Sequence, residues 1–358
     1  MEQNSFGQIL SAQTLEERGK NGWALYRIPA IAATAAGTVL CCCEARSESG
    51  DWSSQRIFLY RSTDGGAVFA DRVPVAEGAE GRAVHNPVLL PEGDKVHLLW
   101  NEEYRRAYHA VSLDDGLHFG APVEITGALE GFRPEYDWNI CALGPGHGCV
   151  LDSGRLIVPL WLGRGRPLDP EGRIIEHRPT VSGVIYSDDG VHWERGGLVS
   201  APLENPNETT AAALPGGELL LNLRHESRTM YRAVARSGDG GRTFSAPVFD
   251  RQLPDPMCFG SLAADGERQV FLNCASNARY PFADRVHLTL RMSRDGCRTW
   301  PLSAELDPCG GYGDVCLLPD GKTACCLYER QDGDRFDLIC ARISLNPVPV
   351  GNEKEPHL

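Results

Sequence analysis

The sequence lacks long apolar runs and the spaced residue pairs that bind metals. No segment of the 358 residues offers 18 uninterrupted apolar residues, and the N-terminus shows no basic region leading into an apolar stretch. The ten histidines form no HxxxH or HExxH pair. We therefore expect no membrane span, a cytoplasmic location, no metal site and no cofactor, although aspartate-rich turns leave incidental calcium binding open.

Positive charge is also in short supply. Lysine and arginine together number 35 against 48 aspartates and glutamates, and the formal net charge is −13. A field of this sign repels phosphate, which argues against a nucleic acid or an anionic membrane as a partner. An anionic substrate therefore needs a local cluster of positive side chains.

Cysteine is plentiful, but its pattern predicts neither disulfides nor zinc. The thirteen cysteines are odd in number, no CxxC pairs with another at zinc spacing, and Cys41, Cys42 and Cys43 are consecutive within a strand-like run. Neighbouring side chains on a strand point to opposite faces. We expect reduced thiols that pack in the core.

One repeated motif, Ser-x-Asp-x-Gly-x-x-aromatic, organises the chain. Three full copies and two imperfect ones start at Ser62, Ser112, Ser187, Ser237 and Ser293. Cys297 replaces the glycine of the last copy, and the copy at Ser187 is one residue short. Ser and Asp side chains satisfy turn amides, glycine supplies a positive φ and the aromatic packs inward, which is typical of a β-hairpin turn.

The spacing of these turns predicts the architecture. The 39 glycines and 24 prolines are scattered, and the motif recurs every 50 to 75 residues, about one four-stranded blade. Five visible copies and one that lost its signature predict an all-β, six-bladed β-propeller. We expect a single domain over 1–358, with a core at about 22–345 and a tail at 346–358. Residues 1–20 form either a short helix or the strand that closes the ring.

With Tyr26-Arg27-Ile28-Pro29 in front of these turns, the chain resembles the exo-sialidase family of glycoside hydrolases from about residue 22 to 345. In that family the arginine of Arg-Ile-Pro is the first of three that clamp the substrate carboxylate, and Arg27 occupies its place. A planar guanidinium donates two parallel hydrogen bonds to a carboxylate, which lysine cannot imitate. The alternative for Arg27 is a salt bridge between blades.

The resemblance also implies an acid/base residue. Arg46 and Asp51 match a further arginine of the family and, five residues on, its acid/base aspartate. An aspartic acid on a mobile loop can protonate the leaving oxygen and later activate water, provided that burial raises its pKa. A plain solvated turn is the alternative for this segment.

Three further residues match the base and the rest of the clamp. Glu208 stands sixteen residues before Arg224 and corresponds to the glutamate that deprotonates the nucleophile, while Arg224, in Asn222-Leu223-Arg224, corresponds to the second arginine. Arg285, eight residues before Ser293, corresponds to the third. The competing arginines are Arg228 and Arg232, which we expect on strand surfaces, and Arg279.

A tyrosine between glycines occupies the place of the family's nucleophile. Tyr312 takes that role, and Glu329 that of a supporting glutamate, which would hold Arg27 in its working rotamer. Because the anomeric carbon of sialic acid bears a carboxylate, a neutral phenol avoids the repulsion that a carboxylate nucleophile would meet. Further pocket candidates are Trp52, Trp161, Trp138 and the loop 144–148.

Together these matches imply a retaining exo-α-sialidase that hydrolyses terminal α-linked sialic acids of glycoconjugates through a covalent tyrosyl intermediate. The alternatives are a trans-sialidase, a hydrolase that prefers another nonulosonic acid such as KDN, and a propeller that binds an acidic sugar without catalysis. An arabinan-degrading propeller would have no use for three carboxylate-clamping arginines.

Overall fold

The computed structural model of the chain describes residues 5–165, 176–199, 201–276 and 285–346. These ranges contain 26 strands, one short helix, α1 (Thr126–Glu130), and two 3-10 turns at Asp51–Ser53 and Ala79–Gly81. None of the helices in these ranges has the length and apolar character needed to cross a membrane. Arg279 and the expected tail beyond residue 346 lie outside the described residues.

The strands form six antiparallel blades around a central axis, which confirms the expected all-β propeller. Blade one contains β2 (Leu25–Ala33), β3 (Val39–Arg46), β4 (Ser54–Ser62) and β5 (Val73–Glu77). Blade two contains β6 (Val84–Glu92), β7 (Lys95–Glu102), β8 (Arg106–Ser112) and β9 (Val123–Glu124), with β11 (Gly146–His147) added parallel to β6. Blade three contains β10 (Ile140–Leu143), β13 (Leu156–Gly163), β14 (Thr180–Ser187) and β15 (Glu194–Val199), with β12 (Cys149–Val150) paired to β13.

The second half of the chain repeats this arrangement. Blade four contains β16 (Thr209–Leu214), β17 (Glu218–Leu223), β18 (Tyr231–Ser237) and β19 (Val248–Pro254). Blade five contains β20 (Ser261–Ala264), β21 (Gln269–Cys274), β22 (Leu288–Ser293) and β23 (Leu302–Asp307). Blade six contains β24 (Gly310–Leu317), β25 (Thr323–Asp332), β26 (Arg335–Ser344) and β1 (Ile9–Glu17). The first strands of most neighbouring blades contact one another around the axis, and blade three contacts blade four through β13 and β16, so residues at the ends of these strands converge there.

The N-terminal strand closes the ring, which decides between the two expectations for residues 1–20. β1 pairs antiparallel with β26, from Ile9 opposite Ile343 to Glu17 opposite Asp337. Blade six therefore takes its outer strand from the other end of the chain. No hairpin turn joins β26 to β1, and this is the reason that only five copies of the turn motif accompany six blades.

The core lies between blades and is filled by alternate residues of each strand. Cys41 and Cys43 of β3 pack towards blade six, beside Leu327 and Leu338, whereas Cys42 packs towards blade two. This confirms the expected alternation. Eleven of the thirteen cysteines are buried, and all are free thiols. Burial raises the pKa of the Cys42 thiol, which keeps it protonated and unreactive.

Each copy of the repeated motif forms the turn between the third and fourth strands of its blade. In blade four, the Ser237 hydroxyl donates to Asp239 Oδ1 at 2.8 Å and accepts the Gly241 amide at 2.9 Å. Asp239 Oδ1 also accepts the amides of Arg242 and Thr243. In blade five, Cys297 adopts the left-handed φ of 63° that glycine supplies elsewhere, so the imperfect copy keeps the same turn.

We predict that Ser237→Ala lowers the free energy of unfolding by about 1–2 kcal/mol, because the Gly241 amide and the Asp239 carboxylate each lose a buried partner. Urea denaturation followed by circular dichroism measures this. Ser303→Ala, on an exposed position of β23, is the matched control and should change stability by less than about 0.5 kcal/mol. Equal effects of the two substitutions would contradict the structural role of the turn.

Candidate active site

One cavity of about 200 Å³ receives side chains from all six blades and therefore lies on the propeller axis. The residues that line it are Arg27, Ile28, Asp51, Asn86, Tyr104, Trp161, His177, Arg178, Thr180, Asn207, Glu208, Arg224, Glu226, Arg285 and Tyr312. Seven of the residues predicted for the site are among them. Three more, Arg46, Trp52 and Glu329, do not line the cavity but each contact a residue that does.

Tyr312 and Glu208 form a hydrogen-bonded pair at the floor of the cavity. The Tyr312 hydroxyl lies 2.7 Å from Glu208 Oε2 and 3.0 Å from Oε1, although the two residues are 104 positions apart. Arg224 Nη1 contacts the same carboxylate and lies 3.2 Å from the Tyr312 hydroxyl. Both partners are buried, so the phenol has a proton acceptor in direct contact and little access to bulk water.

The electrostatics of the pair keep the phenol neutral. Burial raises the pKa of Tyr312 above its ordinary value, and the negative charge of Glu208 adds to the shift. Arg224 and Arg285 oppose it but do not cancel it. Tyr312 is therefore protonated near neutral pH, and Glu208 is in hydrogen-bond contact with its hydroxyl.

Arg27 is aligned by a carboxylate on the next blade. Its Nε and Nη2 donate to the two oxygens of Glu329 at 3.0 and 2.9 Å, and the Ile28 amide donates to Glu329 Oε1 at 2.9 Å. The guanidinium lies 5.1 Å from the centroid of the Tyr312 ring. The pair does bridge two blades, but the Arg27 side chain still lines the cavity.

Arg285 and Arg224 also contact Tyr312, at its ring and at its hydroxyl respectively. The Arg285 guanidinium lies 4.9 Å from the centroid of the Tyr312 ring, and its Nη2 donates to the carbonyl oxygen of Met257 at 3.3 Å. Arg285 Nε is buried and has no partner among the described residues. The structure thus brings all three predicted clamp arginines around one tyrosine.

Arg46 does not reach the cavity. It is fully buried, donates to Glu44 from Nε and Nη2 at 2.9 and 2.7 Å, and contacts Asp51 Oδ1 through Nη1 at 2.9 Å. Arg46 therefore does not touch the cavity directly. It contacts Asp51 and lowers the pKa of that carboxyl group. Glu44, which the sequence analysis missed, is identified only through its contact with Arg46.

Asp51 lies at the cavity mouth in the 3-10 turn, with its side chain 45% exposed. Burial would raise the pKa of Asp51, but the positive charges of Arg46, His177 and Arg27 outweigh it and hold the pKa below its ordinary value. The acid role inferred from the sequence called for a raised pKa. The structure shows the opposite sign for the unliganded site, because arginines surround the carboxylate.

An aromatic wall faces the arginines. Trp161 lines the cavity and packs edge-to-face with His177, whose ring also stacks on Trp52 at 5.1 Å between centroids. Trp52 itself lies behind His177. Tyr104, in the turn between β7 and β8, completes the wall. Neither Tyr104 nor His177 carries a sequence signal, because isolated aromatics in loops are common.

Other candidates lie elsewhere. Trp138 packs in the core under Arg133 and donates to Leu129 O, away from the cavity. Of the loop 144–148, His147 and Gly148 line a different cavity, and His147 Nδ1 lies 2.8 Å from Oδ1 of the buried Asp314. Arg232, expected on a strand surface, is completely buried, so that expectation is wrong. The described residues contain no cluster of three or more His, Cys, Asp or Glu able to hold a metal ion.

Comparisons with known proteins agree with this architecture. A family model described as a BNR repeat-like domain matches residues 44–323, a range that includes all five turn motifs. The chain is 27% identical over 367 residues to a sialidase of Micromonospora viridifaciens, an alignment that covers 92% of this chain and 53% of that protein. It is 32% identical over 351 residues to Sialidase-4 of Homo sapiens, covering 91% and 70%.

The structure of Hadza microbial sialidase Hz136 has the same fold, with a TM-score of 0.76 and 23% identity over 93% of this chain and 68% of that one. The fold and its turns therefore define a BNR-repeat β-propeller. The chain belongs to the sialidase family of glycoside hydrolases. It spans about half the length of its relative from Micromonospora viridifaciens.

We predict that Arg46→Met, made together with Glu44→Gln to avoid an unpaired buried carboxylate, raises the pKa of Asp51. If Asp51 is the acid, activity falls as the pH rises through its pKa, so the descending limb of kcat/KM should move to higher pH. The pH profile with sialyllactose, whose sugar leaving group requires protonation, measures the shift. Arg46→Lys keeps the charge and should move the limb less, and identical profiles for all variants would contradict the coupling.

Proposed function

We propose that the protein is a retaining exo-α-sialidase, which removes terminal α-linked sialic acids from sialylated glycans through a covalent tyrosyl intermediate. The observation that carries this proposal is the contact of the Tyr312 hydroxyl with both Glu208 oxygens, inside a ring formed by Arg27, Arg224 and Arg285. A binding propeller without catalysis would need the arginines but not this buried phenol–carboxylate pair.

Substrate binding rests on the three arginines. Their free N–H groups would bind the carboxylate of the terminal sugar, and this fixes the anomeric carbon near the Tyr312 oxygen. A bound carboxylate also competes with Glu208 for Arg224, so substrate binding frees Glu208 to accept a proton. The clamp thereby couples recognition to activation of the nucleophile.

In the first step the Tyr312 oxygen attacks the anomeric carbon while its proton passes to Glu208. The glycosidic C–O bond breaks, and Asp51 gives its proton to the leaving oxygen. Asp51 has a lowered pKa in the free site, but a substrate carboxylate offsets the charge of Arg27 and shifts that pKa upward. The products are the free aglycone, a sialyl-tyrosine and ionised Asp51.

In the second step water attacks the same carbon. Asp51 accepts a proton from the water, the bond to Tyr312 breaks and Glu208 returns the proton to the phenol oxygen. Two inversions give net retention. Attack by a sugar hydroxyl or by a hydroxyl of the substrate itself would resolve the same intermediate as a transferase, so product analysis separates these outcomes.

We predict that Tyr312→Phe lowers kcat by at least about 10³-fold, because it removes the nucleophile but leaves the arginines in place. Turnover of a fluorogenic 2-α-sialoside measures this, and proton NMR of wild-type product tests retention. Tyr328→Phe is the matched control, since this buried tyrosine donates to Asp307 outside the cavity. Undiminished turnover in the Tyr312 variant, or an inverted product, would rule out the tyrosyl intermediate.

We predict that Arg27→Lys raises KM and lowers kcat, together about 10²-fold in kcat/KM, because an ammonium cannot hold Glu329 and a carboxylate by parallel hydrogen bonds. Steady-state kinetics with sialyllactose measure both constants. Arg56→Lys, in an exposed pair with Glu77, is the control and should leave both unchanged. Unaltered kinetics in the Arg27 variant would place this arginine outside the binding step.

A further inference from the structure

Two of the cavity arginines share one backbone acceptor. Arg224 Nε and Arg285 Nη2 donate to the carbonyl oxygen of Met257, at 2.9 and 3.3 Å. Met257 lies between β19 and β20, its side chain is buried, and its φ of 58° is in the left-handed region that residues other than glycine rarely adopt. The carbonyl position helps set the direction of both guanidinium groups, and contacts from outside Met257 must maintain it.

Those contacts come from a buried ion pair. Arg232 of β18 has a fully buried side chain, donates from Nη1 to the carbonyl oxygen of Cys258 at 2.9 Å and lies 3.6 Å from Asp255 Oδ2. The Cys258 amide donates to Asp255 Oδ1 at 3.4 Å. One Arg–Asp pair thus holds the segment on both sides of Met257.

The same arginine is tied to the strand that leads into Arg224. Arg232 Nε donates to Asn222 Oδ1 at 2.7 Å and Nη2 donates to the Asn222 carbonyl at 3.1 Å. Asn222 lies in β17, which ends at Leu223, directly before Arg224. This contact gives a physical reason for the Asn-x-Arg sequence that singled out Arg224.

Stability alone does not require this pair. Moving two charges into the interior costs several kcal/mol, and apolar side chains of similar volume often serve stability equally well. Burial lowers the pKa of Arg232 and raises the pKa of Asp255, so each group bears an unfavourable environment. What an apolar pair could not supply is the forked set of directed hydrogen bonds to Cys258 and Asn222.

We propose that Arg232 and Asp255 are positioning residues for the substrate carboxylate. They hold the Met257 carbonyl where it aligns Arg224 and Arg285, and they line no part of the cavity themselves. The inference rests on the proposed function, since it assumes that these arginines bind a carboxylate.

The test is the double substitution Arg232→Met and Asp255→Asn, which removes both charges and leaves no unpaired ion. KM for sialyllactose should rise roughly tenfold, the size of coupling seen between contacting residues, with a smaller fall in kcat and a thermal midpoint close to that of the wild type. The matched control is Arg155→Met with Asp188→Asn. In this pair too the arginine donates to a backbone carbonyl, from Arg155 Nη1 to the Gly240 oxygen at 3.1 Å. The pair lies at the turns of blades three and four, outside the cavity, so its loss should leave KM unchanged.

A second measurement separates positioning from general loosening. In an Arg224→Ala background, the double substitution should raise KM by less than about threefold, because one of its two targets is gone. Fully additive losses, or an unchanged KM in the wild-type background, would overturn the positioning role. A wild type that does not cleave sialyllactose would instead overturn the proposed function. If the double variant does not fold, Arg232→Lys replaces it, since it keeps the charge but loses the fork and should give the same rise in KM.

Discussion

The burial of several guanidinium groups at one axis is the constraint on which the cavity depends. A buried cation needs a partner, and the described residues supply Glu329 for Arg27 and Glu208 for Arg224. The pair of Arg27 and Glu329 joins blade one to blade six, whereas Glu208 and Arg224 lie at the ends of two neighbouring strands of blade four. In the proposed function the cavity binds an anion through the guanidinium groups that line it, and not through a large surplus of charge. Such a local cluster would let a protein of net charge −13 bind an acidic sugar.

The charged residues around the cavity differ in whether their side chains line it. Arg46 is a clear example, because its sequence position resembles that of a binding arginine, yet its N–H groups donate to Glu44 and Asp51. In the proposed mechanism its effect on the substrate passes through the acid. Arg232 acts at a similar remove on Arg224. The charged side chains therefore fall into two groups. Some line the cavity surface, and others lie beneath it and align the side chains that line it.

Features with a local signal were predictable from the sequence. The repeated turns contain their own hydrogen-bond partners within a few residues, so their spacing indicated the blades, and the alternation of Cys41, Cys42 and Cys43 followed from strand geometry. The three arginines and Tyr312 followed from motif context, and the structure brings them together, while their roles stay predictions along with the single domain and the cytoplasmic location. The Met257 carbonyl and the burial of Arg232 were not predictable, because a backbone acceptor has no side-chain signature and burial depends on segments distant in sequence.

The closing strand has a consequence for how the chain is made. Residues 9–17 leave the ribosome long before residues 335–344, with which they pair. Blades one to five are built from strands that lie near one another in sequence and can assemble during synthesis, whereas blade six must wait until β26 has been made. Tyr312 and Glu329 belong to that last blade. Blades one to five can therefore form before the blade that carries Tyr312, so a product arrested before residue 310 contains Arg27, Arg224 and Arg285 but lacks this tyrosine.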